Sequence, residues 1–172
     1  MKTNTCCFIG HRTINETEEL KTQLRAMIET LITEQTVDTF LFGSGSCFDD
    51  LCLELVTELK ERHPHIKRVY VRAAFPYISE DYTACLLESY DDTYFPETVL
   101  GAGRASYVKR NREMIDNSRF CVFYYEESCA PTTRKSGTKL ALEYALKRKK
   151  EIILLPANEK LSFFDNKIID KR

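Results

Sequence analysis

Gly10, His11 and Arg12 place a glycine and two anion-binding side chains directly after an apolar run of strand length, Thr5–Ile9. Glycine adopts backbone conformations that other residues avoid. Histidine and arginine offer hydrogen-bond donors to a phosphate group. We therefore expect either a phosphate contact at the end of a strand or a plain turn with a surface histidine and arginine. The position directly after the first strand favours the phosphate contact.

A second segment is rich in glycine and serine and leads into a helical pattern. It runs from Gly43 through Ser44 and Gly45 to Asp49, after the strand-like run Val37–Phe42. A glycine-rich turn at a helix N-terminus presents free backbone N–H groups to an anion. The segment has neither the GxGxxG nor the GxxxxGK spacing, so it does not support NAD binding or Walker-type ATP hydrolysis. Asp49 either complements the dipole of its helix or accepts the hydroxyl groups of a ribose.

Polar residues fall on the expected inner face of a later helix, which is predicted to begin near Arg104. At 100° per residue, Val108 and Ile115 mark the buried stripe of this helix, and Arg104 and Asn111 lie on the same stripe. Because a buried polar group needs a partner, these two side chains indicate either a ligand site or an internal network. Arg110 lies off the stripe, so we expect it to be solvated or to lean over the crevice from the edge of the helix.

The last long helix is predicted to begin at Ser136-Gly137-Thr138. Ser136 or Thr138 can cap this helix, and the open N–H groups of its first turn can bind a phosphate. Taken alone, the segment is equally typical of an ordinary helix cap. It gains weight because the other segments are predicted at the same edge of the fold.

An alternation of strand-like and helix-like patterns supplies the elements that position these segments. Strand-like runs are predicted at Thr5–Ile9, Val37–Phe42, Ile66–Ala74, Phe120–Tyr125 and Glu151–Leu155. Helical spacing lies between them, most clearly from Phe48 to Leu59. An Asn15-x-x-Glu18 capping box is expected to begin the first helix. The stretch from residue 91 to 103 shows no regular pattern.

This alternation predicts an α/β fold, a Rossmann-like three-layer sandwich with a mainly parallel sheet. No linker or internal repeat interrupts the pattern, so residues 1–172 are expected to form a single domain. In open sheets of this kind, ligands bind beyond the carboxyl ends of the strands, where the strand order reverses. We expect the polar segments described above to converge there.

The overall charge provides no strong attraction to a polyanion or to a membrane surface. The chain has 25 lysines and arginines against 26 aspartates and glutamates. Its longest uncharged apolar runs are strand-sized and far too short to span a bilayer. We therefore expect no membrane partner, and nucleic acid is not favoured as a partner. The apolar stretch near the N-terminus is too short for a signal-peptide core, so a cytoplasmic location is expected.

Seven cysteines, at positions 6, 7, 47, 52, 85, 121 and 129, form no CxxC pair. In a reducing compartment they are expected to be thiols, most of them buried as small apolar residues. Because paired ligand spacing is missing, the sequence predicts no metal site. We expect no cofactor either.

Several motifs, in this order, resemble those of the YpsA-like branch of the SLOG superfamily, which is named for the Smf (DNA-processing A) and Lonely Guy proteins. The matching segments are Cys7–Arg12, Gly43–Asp49, Tyr107–Met114 with Asp116, and Ser136–Thr138 before Tyr144 and Ala145. The resemblance extends over about residues 5 to 155. It implies a Rossmann-like fold that binds a nucleotide or a nucleotide-derived small molecule. Some relatives sense such ligands, and others hydrolyse them.

Enzymes of the Lonely Guy type cleave the N-glycosidic bond of nucleoside 5′-monophosphates, and the resemblance to them is incomplete. They use an arginine a few residues before a methionine, which Arg110 and Met114 match. They also use a glutamate three residues after the threonine of a PGGxGT motif, where this chain has Ala141. The Pro-Gly-Gly is replaced as well, by Arg134-Lys-Ser136. Glu143 lies about 200° around the helix from Ala141 and is not a simple substitute.

Two main functions remain open from the sequence. The first is a binding or sensing module for a nucleotide-like small molecule, contacted by residues of the segments described above. The alternative is a phosphoribohydrolase-like enzyme in which Asp49 or another acid of the crevice replaces the missing glutamate. A single-stranded DNA-binding role, by analogy with the Smf proteins, has the least support, because the chain lacks a basic-aromatic stripe. Whether the chain forms a homo-oligomer is also open.

Overall fold

A six-stranded sheet forms the centre of the computed structural model, which describes residues 4–43, 45–133 and 135–156. Its strands are β1 (Thr5–Gly10), β2 (Thr39–Phe42), β3 (Lys67–Val71), β4 (Asp92–Tyr94), β5 (Phe120–Tyr124) and β6 (Glu151–Leu155). They lie in the order β4-β3-β2-β1-β5-β6, and all neighbouring strands are parallel. The predicted parallel sheet with an internal first strand is therefore confirmed.

The strand order reverses at β1. Cys7 pairs with Leu41 of β2 on one side and with Cys121 of β5 on the other. The chain continues from β2 outwards to β4, then returns to the opposite side of β1 to form β5 and β6. The loops after β1 and β5 consequently diverge, and a crevice opens at the carboxyl ends of these two strands.

The described part of the chain has five α-helices. They are α1 (Glu18–Thr33), α2 (Cys47–Arg62), α3 (Glu80–Leu87), α4 (Ser106–Asp116) and α5 (Gly137–Lys147). Four of them, α1, α2, α4 and α5, pack on the two faces of the sheet. Phe8 of β1 packs in a core with residues of α1 and α2, whereas Ile9 packs with α4 and α5 on the opposite face. This alternation follows from the two-residue period of a strand. It confirms the predicted three-layer sandwich.

Two local sequence predictions are wrong. Helix α1 is capped by Thr17, whose hydroxyl accepts the N–H of Leu20 at 3.1 Å, and not by Asn15. Strand β4 lies within the stretch that was expected to be irregular. It has three residues at the edge of the sheet, which is too short for an alternating pattern to be recognised.

None of the helices in the described residues has the length and apolar character needed to cross a bilayer.

Candidate functional site

A cavity of about 800 Å³ lies at the carboxyl ends of β1 and β5, a size typical of small-molecule sites. The structure brings residues of all the predicted segments to this crevice. They are Gly10, His11, Arg12, Gly45, Ser46, Arg104, Arg110, Asn111, Ser136, Gly137 and Thr138. Ser44 lies outside the described residues. Gly43 and Asp49 are buried behind the wall of the crevice.

The charge of the crevice is positive. Arg12, Arg104, Arg110 and Lys135 line it, and its described lining contains no aspartate or glutamate. The chain as a whole is almost neutral, with a formal charge of −1. The crevice therefore concentrates positive charge that the overall composition does not show, and this favours an anionic ligand.

The N-terminus of α5 presents unused hydrogen-bond donors to the crevice. The Ser136 hydroxyl accepts the N–H of Lys139 at 3.0 Å, and its carbonyl accepts the N–H of Leu140 at 3.1 Å. The N–H groups of Gly137 and Thr138 precede the first intrahelical hydrogen bond. The first turn of α5 contains no acidic residue. These donors, with the positive end of the helix dipole, form an anion-binding arrangement.

The N-terminus of α2 differs because the loop after β1 already uses its first backbone donor. The N–H of Cys47 donates to the Arg12 carbonyl at 2.9 Å, which ties the loop after β1 to this helix. Ser46 accepts the N–H of Asp49 on its hydroxyl at 3.1 Å and that of Asp50 on its carbonyl at 3.0 Å. Asp49 and Asp50 add two negative charges to the first turn. An anion is therefore less favoured here than at α5.

Asp49 stabilises the loop between β2 and α2 through a side-chain hydrogen bond. Its carboxylate accepts the backbone N–H of Gly43 at 3.0 Å, and its side chain is buried. Of the two roles expected from the sequence, its position favours the one at the helix N-terminus over contact with a ribose.

Arg110 is buried, contrary to the prediction that it lies off the inner face of its helix. It is 2% exposed, and its guanidinium donates to the carbonyls of Gly43 and Val71, at the ends of β2 and β3. Its Nε donates to Asn111 Oδ1 at 3.0 Å. Burial lowers the pKa of Arg110, and the negative charge of Asp49 opposes that shift. Arg110 thus joins α4 to the glycine loop and to the sheet.

Arg104 and Asn111 are less buried than the helical phase predicted. Arg104 is exposed and Asn111 is half-buried, although both line the crevice. For Asn111 the prediction was wrong because Arg110, Met114 and Ile115 form the buried face of α4, whereas Val108 is only half-buried. For Arg104 it was wrong because α4 begins at Ser106, after a 3₁₀ turn that contains Arg104. A 3₁₀ turn advances about 120° per residue, so a phase of 100° does not extend through it.

Close packing, and not a special backbone angle, explains the glycines at positions 10 and 43. A Cβ at Gly10 would lie 2.3 Å from a ring carbon of Phe48. A Cβ at Gly43 would lie 2.7 Å from Arg110 Nε and from the sulfur of Met114. The sequence-based explanation for Gly10, backbone freedom, is therefore wrong, since its φ is not among the positive values found. Gly45 and Gly137 have open space instead.

His11 packs against Tyr125, the residue that directly follows β5. It is 3% exposed, and its ring centroid is 5.1 Å from that of Tyr125. Burial lowers its pKa, and a hydrogen bond to the Glu126 carbonyl partly opposes this effect. In the described part of the chain, its Nε2 has no hydrogen-bond partner. Because His11 also lines the crevice, a ligand can supply that partner.

Glu126, which the sequence analysis missed, lies outside the crevice lining and is hydrogen-bonded to Cys129, which belongs to that lining. Its carboxylate accepts the Tyr124 hydroxyl at 2.7 Å, Asn15 Nδ2 at 2.9 Å and the Cys129 thiol at 3.5 Å. The hydrogen bond from Tyr124 is the main cause of a lowered pKa for Glu126. Burial, together with the same bond, raises the pKa of Tyr124 to about 12. Asn15 is 111 residues away in sequence, so no local motif marks this network.

Helix α5 offers no carboxylate to the crevice in its first two turns. Ala141 is 4% exposed and packs in the core with residues of α4 and β1. Glu143 is exposed and forms an ion pair with Lys135. The geometry thus agrees with the expectation that Glu143 does not replace a carboxylate at position 141.

One curated protein supplies a clear relationship. Over 148 residues, 75% of this chain, the sequence is 32% identical to a Bacillus subtilis (strain 168) protein named "Uncharacterized SPbeta prophage-derived protein YoqJ". The match covers 81% of that protein. No protein-family model matches the chain.

Proposed function

The chain belongs to the family of the SPbeta prophage-derived protein YoqJ, and we propose that its crevice binds the phosphate group of a nucleotide or nucleotide-derived small molecule. In this proposal the protein is a binding or sensing module. The proposal also includes membership of the YpsA-like branch of the SLOG superfamily, which the ordered motifs around His11, Asp49, Asn111 and Thr138 suggest.

The observation that carries the proposal is the N-terminus of α5 at the point where the strand order reverses. The N–H groups of Gly137 and Thr138 have no intrahelical acceptor. Arg12 and Lys135 line the same crevice and are exposed. Lys135 is already paired with Glu143, so of these two exposed cations Arg12 is the one that is left for a ligand. Backbone donors, a helix dipole and this guanidinium together favour a doubly charged phosphate more than a neutral ligand.

The lack of a carboxylate in the described lining of the crevice supports binding without rapid hydrolysis. This lining has no carboxylate that could act on a ribose or on an attacking water. A positioned acid or base contributes typically about 10² to 10⁴ in rate. We therefore expect slow or absent release of the base from nucleoside 5′-monophosphates.

Calorimetry with AMP, GMP, CMP and UMP tests the proposed binding. We expect at least one of them to bind, and Arg12→Ala to weaken its binding about tenfold or more, because a charge-assisted hydrogen bond to the phosphate is lost. The matched control is Arg62→Ala, since Arg62 is also exposed but pairs with Glu29 away from the crevice. The control should keep the wild-type affinity.

Two results would contradict the proposal. If none of these nucleotides binds, the crevice is not a nucleotide phosphate site. If the protein releases base from AMP at an ordinary enzymatic rate, about one per second or faster, the protein is a hydrolase and not a binding module.

A further inference from the structure

An exposed apolar surface lies within the cationic crevice. Tyr107 is 64% exposed and Leu140 is 36% exposed, and both line the crevice from neighbouring helices, α4 and α5. Aromatic and aliphatic side chains in the wall of a crevice are typical of small-molecule sites, which are largely apolar. Phosphate binding alone does not account for this surface, because a phosphate needs donors and charge.

The place of this surface relates it to the proposed phosphate site. Leu140 lies three residues after Gly137 on α5, which is a rise of about 4.5 Å along the helix. Tyr107 lies about one turn before Arg110, whose guanidinium carbon is 5.7 Å from the centroid of the tyrosine ring. Arg110 in turn reaches the ends of β2 and β3. Leu140 is therefore close to the phosphate donors, and Tyr107 lies at the N-terminal end of α4, the helix that also carries Arg110, in the lining of the same crevice.

We infer that Tyr107 and Leu140 bind a planar nucleobase, so that the ligand is a nucleotide and not a sugar phosphate or inorganic phosphate. The inference rests on the proposed phosphate site at α5. Aromatic side chains stack on nucleobases with little preference among them, because every base has a π-face. Arg110 lies at cation–π distance from Tyr107 and helps to hold the ring in place.

The absence of tryptophan from the chain provides a direct reporter. Tyr107→Trp puts a single tryptophan on the proposed base-binding surface, and Tyr77→Trp puts one on a residue that is 90% exposed and away from the crevice. We expect AMP, GMP, CMP and UMP to change the fluorescence of Tyr107→Trp as they bind. The same nucleotides should leave the fluorescence of Tyr77→Trp unchanged. Ribose 5-phosphate should bind, as measured by calorimetry, without changing the signal at position 107.

Affinity measurements on a second variant complete the test. Tyr107→Ala should weaken binding of the best of the four nucleotides roughly five- to 150-fold, the usual range for loss of a stacked aromatic. It should leave binding of ribose 5-phosphate within about twofold, and Tyr107→Phe should bind like the wild type. Tyr77→Ala is the matched control.

The two proposals fail in different ways. If ribose 5-phosphate and the four nucleotides bind equally, or if Tyr107→Ala weakens both kinds of ligand alike, the base-binding surface is refuted and the phosphate site remains. If neither ribose 5-phosphate nor any nucleotide binds, the phosphate site is refuted, and the base-binding inference falls with it.

Discussion

The N-termini of α2 and α5 both border the crevice, yet they are built for different purposes. At α2, the Arg12 carbonyl accepts the N–H of Cys47, Ser46 accepts those of Asp49 and Asp50, and these two aspartates add negative charge to the first turn. At α5, Ser136 accepts the N–H groups of Lys139 and Leu140, the preceding donors of Gly137 and Thr138 are open, and no acid is present in the first turn. A glycine-rich turn before a helix is thus not sufficient for anion binding. What matters is whether the protein itself has already used the donors and the dipole.

Added methyl groups beside the two helices should have very different effects on the free energy of unfolding. Gly10→Ala places a methyl group against Phe48 in the first turn of α2, where buried neighbours prevent relaxation. We expect a loss of about 3 kcal/mol, the upper part of the range for overpacked cores. The control, Gly137→Ala at the start of α5, has open space and should change stability by less than about 1 kcal/mol. Urea denaturation followed by circular dichroism measures both values, and equal losses would contradict the comparison.

Removing the carboxylate of Asp49, in the first turn of α2, tests the structural role of this residue. Asp49→Ala leaves the Gly43 N–H without its acceptor and removes a negative charge that favours charged Arg110. Because both groups are buried, we expect a loss of about 2 kcal/mol or more in the free energy of unfolding. Asp50→Ala, at an exposed position of the same turn, is the control and should have an effect below about 0.5 kcal/mol. A similar small effect for both variants would show that Asp49 does not hold the loop.

A new negative charge should affect ligand binding at α5 more than at α2. Gly137→Asp puts a carboxylate beside the open donors, so AMP binding should weaken about ten- to 100-fold through like-charge repulsion and competition for the N–H groups. Gly45→Asp, at an equally open position before α2, should weaken it less than about threefold. Calorimetry on both variants checks this difference. A larger effect at position 45 than at 137 would reverse our assignment of the phosphate site.

The network of Glu126 should give a smaller, pH-dependent effect. Its hydrogen bonds lower the pKa of the Glu126 carboxyl below its ordinary value of 4.5. The carboxylate therefore stabilises the fold at neutral pH, and this contribution is lost as the pH falls below 4.5 and through the lowered pKa of the folded state. The difference in unfolding free energy between the wild type and Glu126→Gln should accordingly narrow from pH 7 to pH 3. A difference that stays constant between pH 7 and pH 3 would show that the charge of Glu126 contributes nothing to stability.

The fold and the place of the crevice followed from the sequence because they depend on strong local patterns. Alternating strand and helix periods predicted the parallel sheet, and the segments beginning at Gly10, Gly43 and Ser136 were assigned to its carboxyl edge. The edge strand β4 was missed because three partly exposed residues carry no pattern. Each of these features lies within a short stretch of chain.

The chemical roles within the crevice were harder to predict because they depend on distant contacts. Arg110 was expected at the edge of its helix, and its burial depends on the carbonyls of Gly43 and Val71, 67 and 39 residues away. The donors of α2 were expected to be open, but one of them is used by Arg12. The role of Glu126 depends on hydrogen bonds from Asn15 and Tyr124, which are visible only in the folded structure. A single sequence contains the residues of such networks without indicating which of them meet.

Amide chemical shifts during titration with AMP test the central claim most directly. In ¹⁵N–¹H correlation spectra, we predict that the largest shifts occur at Gly137 and Thr138, whose N–H groups should bind the phosphate. The amides of Cys47 and Asp49 already donate within the protein and should move little. Large shifts at the start of α2, with Gly137 and Thr138 unchanged, would contradict the claim that α5 holds the phosphate.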